Sequence, residues 1–124
     1  MKLGQRSRID LTLQTGERRT WVEVKSVTMV DGNGRYAFPD AVTSRGAKHL
    51  RELARAVGAG DRGVMFYLIQ RSDGSGFTAA DDIDPGYGEA LRRAIEAGVQ
   101  VLVYRADVGP DEIRVAKRIG IELR

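Results

Sequence analysis

Two β-patterned runs joined by a two-residue turn constrain this chain more than any other feature. Ile9, Leu11 and Leu13 alternate with Asp10, Thr12 and Gln14, the pattern of a half-buried strand. Arg19 to Met29 contains Trp21, Val22, Val24, Val27 and Thr28, whose β-branched and aromatic side chains suit a second strand. Between them lies Thr15-Gly16-Glu17-Arg18. Glycine first in a two-residue turn fits a type II′ hairpin, which pairs Thr15 with Arg18. The ladder then runs Leu11–Val22, Asp10–Glu23, Ile9–Val24 and Arg8–Lys25. Leu11, Val22, Ile9 and Val24 share one face, while Asp10, Glu23, Arg8 and Lys25 share the other, with Trp21. A slip of one residue would scramble both faces, so this parity is favoured.

Directly opposed residues hold their Cβ atoms about 5 Å apart, and opposed like charges are destabilising. Asp10 facing Glu23 therefore needs a reason. A bound cation supplies one, since carboxylates are the usual ligands of Mg²⁺ and Ca²⁺. Lys25 would then offset part of the negative charge or stabilise a pentavalent phosphate. The alternative is a solvated strand face of mixed charge, common on antiparallel sheets. Spacing alone leaves both open.

Downstream, Val30-Asp31-Gly32-Asn33-Gly34-Arg35 reads as a turn and Tyr36 to Ala41 as an extended or irregular stretch. Thr43 or Ser44 caps a helix running to Val57, with Ala47, Leu50, Leu53, Ala54 and Val57 as its apolar stripe and Gly58 and Gly60 ending it. Val64 to Gln70 is nearly all apolar, as in a strand covered on both faces. Arg71 to Gly76 is a polar loop. Asp84 caps a second helix, with Pro85 at its first position, Tyr87, Leu91, Ala94 and Ile95 along it, and Gly98 as its stop. Val99 to Tyr104 is another buried strand, and Ile113 to Val115 and Ile119 to Leu123 are candidate short edge strands. Hairpin, helix, strand, helix, strand describes an α/β domain whose mixed β-sheet is flanked by helices. The second helix and the strand after it form a right-handed crossover parallel to Val64–Gln70.

With 124 residues the chain can build one domain and core. It has no cysteine, which excludes disulfides, thiol catalysis and Cys-based zinc sites and fits a cytoplasmic setting. No run approaches the roughly 18 apolar residues of a membrane span, and no signal-peptide pattern opens the chain. The net charge of +3 permits nucleic acid as a partner without diagnosing it.

The first helix has a polar face of Arg45, Lys48, His49, Arg51, Glu52 and Arg55. Arg45, Lys48 and His49 stand at i, i+3 and i+4 near its N-terminal end, an arrangement that suits phosphate. A solvated amphipathic helix explains the same pattern, and a lone helix histidine is more often exposed than functional. Asp40 is a candidate third metal ligand or an ordinary turn residue. Asp81-Asp82-Ile83-Asp84 reads first as loop solvation and helix capping. Trp21 either covers the sheet, the favoured role, or stacks on a base. No glycine-rich turn here is a phosphate loop, and no Ser-His-Asp arrangement can be argued.

Several segments together resemble the sugar fermentation stimulation protein A family. They are Ser7-Arg8-Ile9-Asp10, Val22-Glu23-Val24-Lys25-Ser26-Val27-Thr28, Phe38-Pro39-Asp40-Ala41-Val42-Thr43, Arg45-Gly46, Lys48-His49-Leu50-Arg51-Glu52-Leu53 and Ile83-Asp84-Pro85. The resemblance covers nearly the whole chain but only the C-terminal half of a usual member. It implies non-specific DNA binding and a restriction-endonuclease-like PD-(D/E)XK core. Asp10 and Glu23 become the metal acids, Lys25 the lysine, and Mg²⁺ or Mn²⁺ the cofactor. Against a usual member, the OB-like domain and the first helix and strand of the core are expected to be missing. Asp10 follows Ile9 in place of a proline, and Pro39-Asp40 comes after the acid-x-lysine, not before it.

The expectation is a DNA-binding, Mg²⁺-dependent nuclease-like domain. Asp10, Glu23 and Lys25 carry the chemistry, Val24 (through its carbonyl) and Asp40 add metal ligands, and Arg8, Arg45, Lys48, His49 and Arg51 meet DNA. The competing expectations are a catalytically inactive DNA-binding or regulatory module, and a chain that acts only with its missing half or as a homo-oligomer.

Overall fold

The computed structural model describes residues 11–15, 18–108 and 113–123, with side chains described over 18–106 and 117–123. The opening hairpin joins β1 (Leu11–Thr15) to β2 (Arg18–Val27), antiparallel and in the register the turn dictates, from Thr15↔Arg18 to Leu11↔Val22. After β2 come β3 (Met29–Val30), β4 (Tyr36–Phe38), α1 (Ser44–Gly58), β5 (Arg62–Ile69), β6 (Phe77–Ala79), α2 (Pro85–Glu96), β7 (Gln100–Val108) and β8 (Ile113–Arg118). The main sheet has the order β1-β2-β5-β7-β8. Its central pairs, β2–β5 and β5–β7, are parallel and its outer pairs antiparallel. This is the expected mixed sheet, with β5 and β7 parallel across the α2 crossover.

A second sheet, β3-β4-β6, was not expected. Tyr36 to Phe38, read as extended or irregular, is extended, a strand parallel to β6, and β6 itself went unread beyond the polar loop. The end of the chain contributes one bridge, Phe77↔Ile121, where an edge strand over Ile119 to Leu123 was expected.

Both helices begin where their caps predict. Thr43 Oγ1 accepts from Gly46 N at 3.0 Å, and Asp84 Oδ1 accepts from Tyr87 N at 3.0 Å. Leu50, Leu53 and Ala56 of α1 and Leu91 and Ala94 of α2 pack into one core with Trp21, Val27, Met65, Tyr67, Ile69, Val101 and Val103. Burying leucines such as Leu50 and Leu53 stabilises by about 1.5–3 kcal/mol each. The helices therefore cover the sheet face that carries Trp21, Glu23, Lys25 and Val27. The other face holds Val22, Phe66, Leu68 and Tyr104, all half-buried, and Val24, which is 38% exposed. Phe66 and Tyr104 stack there, with centroids 5.5 Å apart.

Glycine lets the layers approach. A Cβ on Gly63 of β5 would lie 2.9 Å from the Leu53 carbonyl oxygen of α1, so no larger residue fits without moving backbone.

Candidate functional site

Strand parity carries two charged side chains into the interior. Trp21 and Val27 anchor the inward face of β2, so Glu23 and Lys25, at the intervening even steps, must turn inward too. Glu23 is 3% exposed. That burial removes the solvated mixed-charge face as an explanation of the acid-x-lysine. The parallel register sets Glu23 beside Met65 and Lys25 beside Tyr67 on β5.

From above, α1 contributes His49, which is 2% exposed. The expectation of an exposed histidine was wrong. The N-terminal trio splits, with Arg45 exposed, Lys48 half-buried and His49 turned into the core, away from the exposed face of α1 on which it was expected. Glu52, also assigned to the polar face, is fully buried. The missed signal is Ala56. It stands seven residues after His49 and four after Glu52, on the same side of the helix, and a small apolar residue there marks that side as inward.

Three polar atoms meet in a triangle. Lys25 Nζ lies 3.0 Å from Glu23 Oε1 and 3.0 Å from His49 Nδ1, and His49 Nδ1 lies 3.0 Å from Glu23 Oε1. Burial pushes the His49 imidazole below its ordinary pKa; Lys25 and Arg45 add to that effect, while Glu23 and Glu52 oppose it. Glu23 Oε2, His49 Nε2 and both Glu52 carboxylate oxygens are buried with no hydrogen-bond partner among the described residues. Below them the Tyr67 and Tyr87 hydroxyls bond at 2.5 Å, and both phenols are held above their ordinary pKa, chiefly by burial.

The other candidates fall elsewhere. Asp10 and Arg8 lie outside the described residues. Val24 directs its side chain to the opposite face. Asp40 is exposed in the segment between β4 and α1, and Arg51 is exposed on α1. Among the described residues no three acids or histidines converge as a metal-ligand set. Trp21 is 4% exposed and donates its indole N–H to Asp61 Oδ2 at 3.0 Å, so it covers the sheet and does not stack on a base. In the acidic run, Asp84 caps α2 and also accepts from Thr43 N at 2.8 Å, while Asp81 pairs with Arg92.

A family model described as the sugar fermentation stimulation protein RE domain matches residues 1–112. The chain is 55% identical over 121 residues to a sugar fermentation stimulation protein homolog from Geobacter sulfurreducens, covering 98% of this chain and 51% of that protein. It is 50% identical over 126 residues to the homolog from Nitrosococcus oceani, covering 99% of this chain and 54% of that one. It thus spans about half the length of the curated relatives it matches. A solved structure of Pyrococcus furiosus SfsA in complex with Ca²⁺ superposes with a TM-score of 0.87 at 26% identity, over 98% of this chain and 52% of that one. No described helix is long and apolar enough to cross a membrane.

Proposed function

The chain belongs to the sugar fermentation stimulation protein family, and from that premise we propose that its buried acid-x-lysine is a metal-assisted centre acting on DNA phosphodiesters. The observation that carries this reading is Glu23. One carboxylate oxygen is engaged by Lys25, while the other is buried with no hydrogen-bond partner among the described residues. A desolvated carboxylate oxygen beside an ammonium suits a divalent cation, which takes oxygen ligands. The relative solved with Ca²⁺ agrees with that preference.

We take the ladder one rung beyond Leu11↔Val22, to Asp10 opposite Glu23, and read the sheet as a PD-(D/E)XK core. Glu23, Asp10 and the Val24 carbonyl would hold Mg²⁺ or Mn²⁺, with the exposed Asp40 as a further candidate ligand. When bound, the cation would supply Lewis-acid activation of water and charge neutralisation at the phosphate. Lys25, fixed by Glu23 and His49, orients the attacking water or stabilises charge in the transition state. Arg45 and Arg51 on the exposed side of α1, with Lys48 and Arg8, meet backbone phosphates. Binding of that kind is salt-dependent and indifferent to sequence.

Supercoiled, linear and branched DNA incubated with Mg²⁺ or Mn²⁺ tests this reading. Cleavage by the wild-type chain that is lost in Glu23→Gln supports it. Binding without cleavage supports the inactive module instead.

A further inference from the structure

The proposed centre leaves Glu52 and His49 Nε2 without a role. Glu52 is fully buried and neither of its oxygens has a described donor. Buried carboxylates are costly unless hydrogen-bonded, so Glu52 demands one. His49 Nε2 is likewise buried without a partner, and it stands one helical turn away on the same side of α1.

The other ring nitrogen faces a choice. A neutral imidazole protonated at Nδ1 would donate to Glu23 Oε1 but set its N–H against the Lys25 ammonium, which has only protons to give. An imidazole protonated at Nε2 accepts from Lys25 at Nδ1. It brings Nδ1 against Glu23 Oε1 as two acceptors, bridged by the ammonium that donates to both. Those contacts alone are balanced. Glu52 breaks the tie, because it is an acceptor lacking a donor and only the second tautomer offers it one.

We propose that Glu52 accepts a hydrogen bond from the His49 Nε2–H through one buried water, and so fixes the tautomer whose Nδ1 holds Lys25 against Glu23. Resting on the metal-assisted reading of Glu23, this makes His49 and Glu52 positioning residues for Lys25. The selection runs from the helix interior to the lysine that faces the phosphate.

His49 is the only histidine in the chain, so its ring signals need no assignment. Long-range ¹H–¹⁵N spectra of the ¹⁵N-labelled full chain at pH 8 should show the Nε2-protonated tautomer. A predominant Nδ1-protonated ring overturns the proposal, whatever the protein cleaves. The kinetic arm compares His49→Asn, whose amide oxygen can accept from Lys25 near the Nδ1 position, with His49→Leu, which has no acceptor. At matched melting temperature, His49→Leu should lower kcat roughly 10- to 100-fold with KM for DNA unchanged, and His49→Asn should restore most of it. Equal losses in both variants would make the role structural and overturn the proposal. A wild-type chain that shows the expected tautomer but cleaves nothing upholds the Glu52–His49 couple and overturns the nuclease reading.

Discussion

Glu23 is inside because β2 alternates and its apolar neighbours choose the side. The sequence made only the parity legible, which puts Trp21, Glu23 and Lys25 on one face; that this face turns to the helices is visible only in the structure. Asp61 offers a separate residue-scale test. It accepts from the Trp21 indole at 3.0 Å and the Arg19 backbone N–H at 3.3 Å, and these bonds, led by Trp21, hold its carboxyl below the ordinary aspartate pKa. A pKa lowered on folding stabilises the fold above the unfolded value, about 3.9, and that stability is lost as pH falls through the folded value. Asp61→Asn should therefore show a lower urea midpoint than wild type at pH 7, with the gap closing below about pH 4. A gap that stays constant into strong acid would contradict the assignment. The burial of His49 and Glu52 was less legible. Polar side chains on a helix ordinarily face water, and the local sign against it, the small apolar Ala56 on the same side of α1, is weak beside two polar residues.

At the scale of elements, capping and aromatic pairing join α1, α2 and β5. Asp84 caps α2 and also takes the Thr43 N–H at the head of α1, so it fixes two helix starts at once. Asp84→Ala should cost about 2 kcal/mol or more in denaturant unfolding, while Thr43→Ala, which removes only the α1 cap, should cost about 1 kcal/mol. Tyr67 of β5 and Tyr87 of α2 satisfy each other's hydroxyls in the core. Each single Tyr→Phe change strands its partner's hydroxyl, at about 1–3 kcal/mol, whereas the double variant should cost less than the sum. Additive costs would mean that the two hydroxyls do not depend on each other. The hairpin and both helix starts were readable because turn and cap chemistry is local. The small sheet was not, because strands such as Met29–Val30 and Phe77–Ala79 are too short to show a period and exist only by pairing across the chain.

For the whole molecule, one sheet face carries the candidate centre beneath α1, and α1 shows its cations on its other side. The net charge of +3 is modest, so their placement matters more than the sum. Arg45→Ala and Arg51→Ala should each weaken binding about equally for unrelated DNA sequences and lower the salt-dependence slope by about 1. Sequence-selective losses would contradict a backbone-reading role. The central claim is that a divalent cation binds at Glu23. Paramagnetic Mn²⁺ tests it most directly, because His49 lies 3.0 Å from the Glu23 carboxylate and supplies the only histidine ring signals. Mn²⁺ bound at Glu23 should broaden those signals beyond detection in the wild-type chain and leave them sharp in Glu23→Gln. Histidine signals that stay sharp in wild type at high Mn²⁺ would contradict the account.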